Sequence, residues 1–413
     1  MNSAKQRIQQ LFMVAPGIQW LALATLIRSI GSGGVLTLMV LFLVSQRGYD
    51  SVKVSLVLTI GGFVSAICSP PLGHLSNNQK AKFVAMWSLI FQGIATFLYL
   101  LANNVFILAG VAILFSLAEA SSSSSRAVLI AIMTTTEHRV KVRGWLRVVT
   151  NLGSTIGAGL SGVAIAVGTP QVWDAAIVSC ALCLILGGFA ISRVPNIYQK
   201  ITSSRGYLFT DFGIALKDIR YIWLCIQNSI LSMNHGILTV ALPVWIVMVG
   251  NAPHSIFGFL VILNTVMVIL FQIPLTSRIM NTSDATRALL RSGFLLAVAC
   301  TALGSSWRVD SKLTVTLFLV AILLHGFAEI LHAGGSWHLS YDLAPESQHG
   351  QYQGLFTAST QLGLTLAPIL LTFLISKWGF WGWFSIGIAM AAAGFFGSYC
   401  FKHSLPKKKE KDC

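Results

Sequence analysis

Charge is what this sequence has least of. Only 10% of its 413 residues are Asp, Glu, Lys or Arg, and just 13 are acidic. A soluble domain carries roughly 25% charged residues, so a water-facing surface of ordinary size is excluded. Also missing are a phosphate-cradling Gly-Lys-Ser/Thr loop, a metal-ligand cluster, and a nucleophile–base constellation that the topology would bring together. No enzyme activity, nucleotide-driven step, metal or other cofactor is expected on that ground. Cysteine supplies no framework either. Most of the seven lie in apolar runs, and Cys180 and Cys183, spaced like a redox or metal pair, sit inside the run 172–192 with no further ligands nearby.

What is abundant is apolar: 55% of the residues are hydrophobic. At about 20 residues per membrane crossing, twelve runs emerge. They are 18–44, 52–72, 83–102, 105–133, 144–168 and 172–192, then 221–249, 255–275, 288–306, 313–340, 351–375 and 379–401. The first is too long for a signal-peptide core and lacks a clear cleavage site, so it reads as a retained span. The net charge of +15 does not form one basic patch but is scattered in short segments between the runs, which argues against a nucleic-acid partner.

Orientation follows from the same scatter. With the N-terminus in the cytoplasm, the outside loops hold five of the 28 basic residues: Arg47, Lys53, Arg308, Lys312 and Lys377. Three more, Arg28, Arg126 and Arg147, fall within spans, which leaves twenty inside. That bias places both termini in the cytoplasm, and the Lys407–Lys409 tail reads as a solvated end near anionic lipid.

The second organising fact is a repeat. Sliding the chain by 210 residues puts Ala118-Glu119 on Ala328-Glu329, Gly144 on Gly354, and Leu152-Gly153 on Leu362-Gly363. The shift is about half the chain, so the protein reads as a duplicated one with an acid near the centre of each half. The expected layout is an N-terminal bundle (1–192), a cytoplasmic connector (193–220) and a C-terminal bundle with a basic tail (221–413). Each half has an even number of spans, so the axis relating them must run along the membrane normal. The fold class is therefore all-α, an integral membrane protein of twelve transmembrane helices in two six-helix bundles related by a pseudo-two-fold axis.

At this point the chain resembles the major facilitator superfamily over essentially its whole length. The segment from Gly326-Phe-Ala-Glu329 to Gly350-Gln-Tyr-Gln-Gly354 is similar to the drug/proton antiporter branch. That resemblance implies a central-cavity role for Glu329 in proton or cation handling. It also implies that Asp342-Leu-Ala-Pro-Glu346 through Gly354 is the cytoplasmic turn between spans ten and eleven. The signature loop between spans two and three departs from the family. In Gly73-His-Leu-Ser-Asn77-Asn78-Gln79-Lys80-Ala81 only the glycine matches, and Asn77 stands where the family has its acid. The antiporter proline of span five is also absent from Gly153-Ser-Thr-Ile-Gly157-Ala-Gly159, although the glycine spacing persists.

An ionised carboxylate in hydrocarbon costs at least a few kcal/mol, so it persists when paired, solvated or protonated. Glu329 has His325 at i−4 and His332 at i+3 on its own face, an acid and two imidazoles able to relay a proton, or else a structural hydrogen-bonding group. Glu119 is the repeat mate, neutralised by Arg28, Arg126 or Arg147 or active in coupling beside Glu329. Arg126 and Arg147, with Asp342, are the candidates for gating. Arg28 precedes Gly31, Gly33 and Gly34 and either attracts an anionic group or neutralises a buried acid. Gln227, Asn228, Asn234 and His235 make span seven unusually polar, and Asn151 and Gln361 hold matching places in the two repeats. With Arg28, these are the candidate substrate contacts. The run Ser121–Ser125 reads as close helix packing.

Three functions remain. One is proton-coupled export of lipophilic or amphiphilic small molecules. Another is import or facilitated passage of a small organic anion or sugar. The third is a non-transporting receptor or scaffold. The expected partners are a small-molecule substrate, protons and the lipid bilayer, and the expected working form is a monomer in the cell membrane.

Overall fold

A computed structural model of the chain describes residues 17–76, 80–195, 214–250 and 256–404. Asn77 and the Lys407–Lys409 tail, both singled out above, lie outside the described residues, as does 196–213 of the connector. Among the described residues every regular element is helical, and twelve helices are long and apolar enough to cross a membrane. They are α1 (Ile18–Gln46), α2 (Val52–Leu75), α3 (Ala81–Leu101), α4 (Val105–Met133), α5 (Thr136–Val167), α6 (Pro170–Ser192), α7 (Ile219–Val249), α8 (Ile256–Thr276), α9 (Thr282–Ser305), α10 (Ser311–Asp342), α11 (His349–Trp378) and α12 (Phe380–Ser404).

Most boundaries fall within three residues of the apolar runs. The exceptions are α5 and α9, which start well before their runs because Arg139, Lys141 and Arg143, or Thr282 to Arg287, continue the helix into polar sequence. Hydropathy marks where lipid starts, and a helix need not start there.

The scarce polar residues serve the helix ends. Asp50 accepts from the backbone N–H of Val52 and Lys53 at 3.0 and 3.1 Å, and Asn104 from those of Phe106 and Ile107 at 3.0 and 2.9 Å. Asp218, Asn281 and Asp310 cap α7, α9 and α10 in the same way. Each satisfies N–H groups that lipid cannot, at about 1 kcal/mol per cap. Gly168 and Gly250, at φ 74° and 70°, end α5 and α7 in the left-handed conformation that favours glycine. Two acids, Glu119 and Glu329, stand in mid-span instead.

The chain divides into two compact units. The first holds α1–α6 together with Ala344–Leu362, the start of α11; the second holds α7–α10, the remainder of α11 and α12. Inside the first unit α1 packs on α5 and α6, α2 on α4, and α3 on α4 and α6. The second repeats the scheme six helices on: α8 packs on α10, α9 on α10 and α12, and α7 on α12.

Small residues let these backbones meet. A Cβ added at Gly157 would lie 2.0 Å from the carbonyl oxygen of Ile30, and one at Gly33 2.5 Å from the backbone of Ser154. The repeat mates Gly153 and Gly363 do matching work. The first abuts Leu26 and Ser29 on α1, the second Ser229 and Ser232 on α7. The serine run in α4 is buried packing, with Ser121 accepting from Ser88 and Ser125 sharing a hydrogen bond with Ser76, both at 2.7 Å. In the first unit the start of α11 also closes on α2, where a Cβ at Gly73 would meet the Gly350 carbonyl oxygen at 2.3 Å.

Candidate functional site

The second unit gathers an acid, three imidazoles and three carboxamides from α7, α8 and α10. The irregular course of α7 sets this up. Its regular helix stops at Ser232, a short piece Asn234–Gly236 follows, and Ile237–Ala241 winds as a π-helical turn before Leu242–Val249. Pro243 explains the widening. It has no N–H to donate, and its ring would clash with the Thr239 carbonyl one turn back. The irregular stretch leaves the Asn234 carbonyl accepting from both the Ile237 N–H and Nε2 of His325, the latter at 3.0 Å.

Glu329 lies at the centre, its side chain only 8% exposed. Oε2 accepts from Nδ2 of Asn264 on α8 at 3.1 Å, and Oε1 lies 3.7 Å from Nδ1 of His235 on α7. Asn264 in turn presents Oδ1 to Nδ1 of His325 at 3.3 Å. His332, one turn further along α10, has Nε2 at 3.2 Å from Oδ1 of Asn228 and Nδ1 at 3.4 Å from Nδ2 of Asn234. The close approach of α8 and α10 needs Gly326, where a Cβ would stand 3.2 Å from the Asn264 oxygen. Hydrogen bonds to a charged group are worth about 1.5–3 kcal/mol each, so the Asn264 contact helps to hold a buried carboxyl in place.

The first unit answers with a different arrangement. Arg28 on α1 stands 3.5 Å from Glu119 on α4, with the arginine side chain 7% and the carboxylate side chain 37% exposed. Arg126 sends Nε to the carbonyl of Ser122 at 3.2 Å and interacts electrostatically with both Arg28 and Glu119. The arginine of α1 lies against Gly187 of α6, which leaves room for it.

Of the residues singled out in the sequence, Glu329, His325, His332, Asn228, Asn234 and His235 thus come together in one network. Gln227 is set apart, its buried carboxamide turned toward α12, where a Cβ at Gly397 would overlap it. Asn151 and Gln361 are half-buried in mid-helix on α5 and α11, and Arg147 is half-buried on α5. Asp342 accepts from the hydroxyl of Thr282 at 2.7 Å and ties the end of α10 to the start of α9. The residue that sequence reasoning missed is Asn264. Its signal was there: α8 has the highest mean hydropathy of the twelve spans, 2.5, so a carboxamide within it calls for a partner.

Comparison with known proteins decides the family. The profile of the Major Facilitator Superfamily matches residues 21–220 and 224–412. The chain belongs to that superfamily. The superfamily is one of transporters rather than enzymes, and the twelve spans make this member a multi-pass membrane protein. No curated protein matches the chain in sequence.

Among solved structures the fold is similar to that of the human organic anion transporter MFSD10 (TETRAN), at 13% identity and a TM-score of 0.73 over 92% of this chain and 98% of that one. A bacterial homologue of the iron transporter ferroportin in its outward-facing state gives 16% identity and 0.72 over 94% and 98%. The proton:xylose symporter XylE gives 14% and 0.66 over 96% of each chain. At such identities the likeness is one of fold.

Proposed function

We propose that this transporter exports lipophilic or amphiphilic small molecules in exchange for protons, by alternating access, with Glu329 as the proton carrier. One observation carries the reading. Glu329 is buried in a span, accepts a hydrogen bond from the carboxamide of Asn264 and lies beside the titratable imidazole of His235. A carboxyl in that setting can exist with or without its proton, whereas one paired to arginine stays ionised. The potential supplies about 2.3 kcal/mol per charge per 100 mV, so one or two protons can drive a useful gradient. Both termini lie in the cytoplasm in this reading, the protein sits in the cell membrane, and a single chain suffices.

The deciding experiment follows proton movement in proteoliposomes on adding lipophilic cations such as tetraphenylphosphonium, with wild type beside Glu329→Gln. Coupled flux in wild type that vanishes in the variant supports the reading. Full coupling in the variant makes Glu329 structural.

A second reading, passage of a small organic anion, has its own support in the first unit. There Arg28 and Arg126 face a single acid, which leaves an excess of positive charge able to hold a carboxylate. The organic anion transporter among the fold neighbours is consistent with it. Uptake of an organic anion, with no proton movement on adding lipophilic cations, would favour this reading over the first.

A further inference from the structure

His325 has an acceptor at each end of its ring. Nε2 faces the Asn234 carbonyl at 3.0 Å, and a carbonyl only accepts. Nδ1 faces Oδ1 of Asn264 at 3.3 Å, and the other end of the same carboxamide fixes which atom that is, because Nδ2 donates to Oε2 of Glu329 at 3.1 Å. Satisfying all three contacts takes one proton more than a neutral imidazole and a carboxylate supply. His332 offers the contrast. Its ring has an acceptor at Nε2 and a donor at Nδ1, so the neutral form with one N–H meets both.

We propose that Glu329, Asn264 and His325 hold one proton between them, with the carboxamide of Asn264 turning over to follow it. The inference rests on the proton-carrying role of Glu329 and gives that role its machinery. With the proton on His325, both ring nitrogens donate, Oδ1 of Asn264 accepts, and Nδ2 donates to the carboxylate. With the proton on Glu329, the Nδ1–H bond of His325 is broken and an O–H bond on Glu329 is made. Asn264 has then rotated half a turn about its terminal bond, its oxygen accepting from the carboxyl and its nitrogen donating to Nδ1. Both arrangements satisfy these three contacts, and both leave the Glu329–His325 pair neutral overall.

Losing the proton is different. A carboxylate and a neutral imidazole then face an amide that can donate toward only one of them. One acceptor-to-acceptor contact remains, at Oδ1 of Asn264 on α8 or at the Asn234 carbonyl on α7 according to the tautomer of His325, and it pushes that helix away from α10. Proton release is thereby converted into loosening of the contact between helices.

Exchange with solvent runs through His235. Its side chain is 37% exposed, and its Nδ1 lies 3.7 Å from the second carboxyl oxygen. An N–H bond of a protonated His235 breaks as the O–H bond of Glu329 forms, and His235 takes its replacement proton from water. The helices packed on α10 bring little competing charge. α8 contains no ionisable residue, α7 contributes His235 here and keeps Asp218 and Arg220 at its far start, and on α9 Asp284 and Arg287 pair with each other at 2.7 Å while Arg291 is exposed. On α10 itself His332 is the neighbour, and Lys312, His338 and Asp342 are two turns or more away.

The test uses the full chain in lipid nanodiscs and needs no substrate. Nitrogen NMR of labelled histidine follows His325, assigned by difference from His325→Gln. Infrared difference spectra follow the carboxyl of Glu329, assigned from Glu329→Gln. In wild type the carboxyl signal and the second N–H of His325 should disappear at one common pH and together account for a single proton. In Asn264→Leu the two midpoints should separate by about one pH unit or more. Asn264→Asp keeps the shape, accepts at both ends without turning, and should hold a second proton, so the idea remains testable if the leucine variant does not fold. A His325 that stays singly protonated beside an ionised Glu329 at every pH overturns the proposal, as does a common midpoint that survives in Asn264→Leu. A shared proton in a protein that moves no protons with lipophilic cations supports the triad and removes the efflux reading. Proton-coupled export with independent midpoints in wild type removes the triad and keeps efflux.

Discussion

Glu119 and Glu329 hold matching places 210 residues apart, and the two halves surround them differently. In the first half α1 brings a fixed cation, Arg28, to 3.5 Å. In the second, α7 brings carboxamides and an imidazole, and α8 adds Asn264. The small residues have traded places too. Gly61 on α2 faces Ser116 of α4, while Asn264 on α8 faces Gly326 of α10, the repeat mate of Ser116. On the proposed reading, the same scaffold holds an ion-paired acid in one bundle and an acid that changes its protonation in the other. An ion pair is a lock. A network of neutral donors is a switch.

The comparison breaks most visibly at the acids themselves. Glu329→Gln should reduce substrate-driven proton flux in proteoliposomes to the level of protein-free vesicles while leaving downhill substrate exchange measurable. Glu119→Gln should keep the coupling ratio and lose folded protein instead. If Glu119→Gln uncouples transport while Glu329→Gln does not, the assignment of lock and switch is reversed.

A sharper version moves the lock into the second half. His235→Arg places a permanent cation near Oε1 of Glu329, where the imidazole now stands at 3.7 Å. A fixed opposite charge favours the ionised carboxylate, so coupled flux at neutral pH should fall. It should recover as the outside pH is lowered. Flux unchanged across that pH series would show that His235 and Glu329 do not communicate.

How much of this was legible in the sequence depends on the length scale. The spans were, because lipid demands about 20 apolar residues whatever the neighbours are, and 105–133 agrees with Val105–Met133 at both ends. The face shared by His325, Glu329 and His332 was legible because helical periodicity is local. The partners of Asn264 were not, because they lie 61 and 65 residues away and only the packing of α8 on α10 brings them near. The choice of Arg28 over Arg126 as the near partner of Glu119 is of the same kind, a contact between helices with no local signature. The placement of Ala344–Leu362 in the first compact unit cuts across the repeat for a local steric reason, the glycine contact of Gly73 with Gly350 and Gly354.

Smaller effects should appear in stability. Removing one partner of the first-half pair leaves the other uncompensated, and the two directions differ. Glu119→Gln strands Arg28, whose side chain is 7% exposed, whereas Arg28→Met strands a carboxylate that is 37% exposed and can reach solvent. The first should cost about 2–4 kcal/mol and the second about 1 kcal/mol, and the double variant should recover most of the loss. Melting temperatures of the four proteins in one detergent close the cycle. Equal losses for the two single variants would mean that burial does not govern the pair.

The smallest effects test whether the halves are packed alike. Gly153 and Gly363 are repeat mates, each at the crossing of the fifth helix of its bundle over the first. A Cβ at Gly153 would come within 2.8 Å of the Leu26 carbonyl oxygen and the Ser29 Cβ, and one at Gly363 within 2.2 Å of the Ser229 carbonyl oxygen. Carbonyl oxygens of packed helices do not yield as a flexible side chain does, so both alanine variants should destabilise, by about 1–3 kcal/mol, with Gly363→Ala the worse of the two. The second-half crossing also positions the stretch of α7 that carries Asn234 and His235. Gly363→Ala should therefore alter the pH dependence of proton-coupled transport, whereas Gly153→Ala lowers the melting temperature alone. Equal pH profiles in the two variants would show that the position of α7 does not set the behaviour of Glu329, and that the contacts from α8 carry the coupling by themselves.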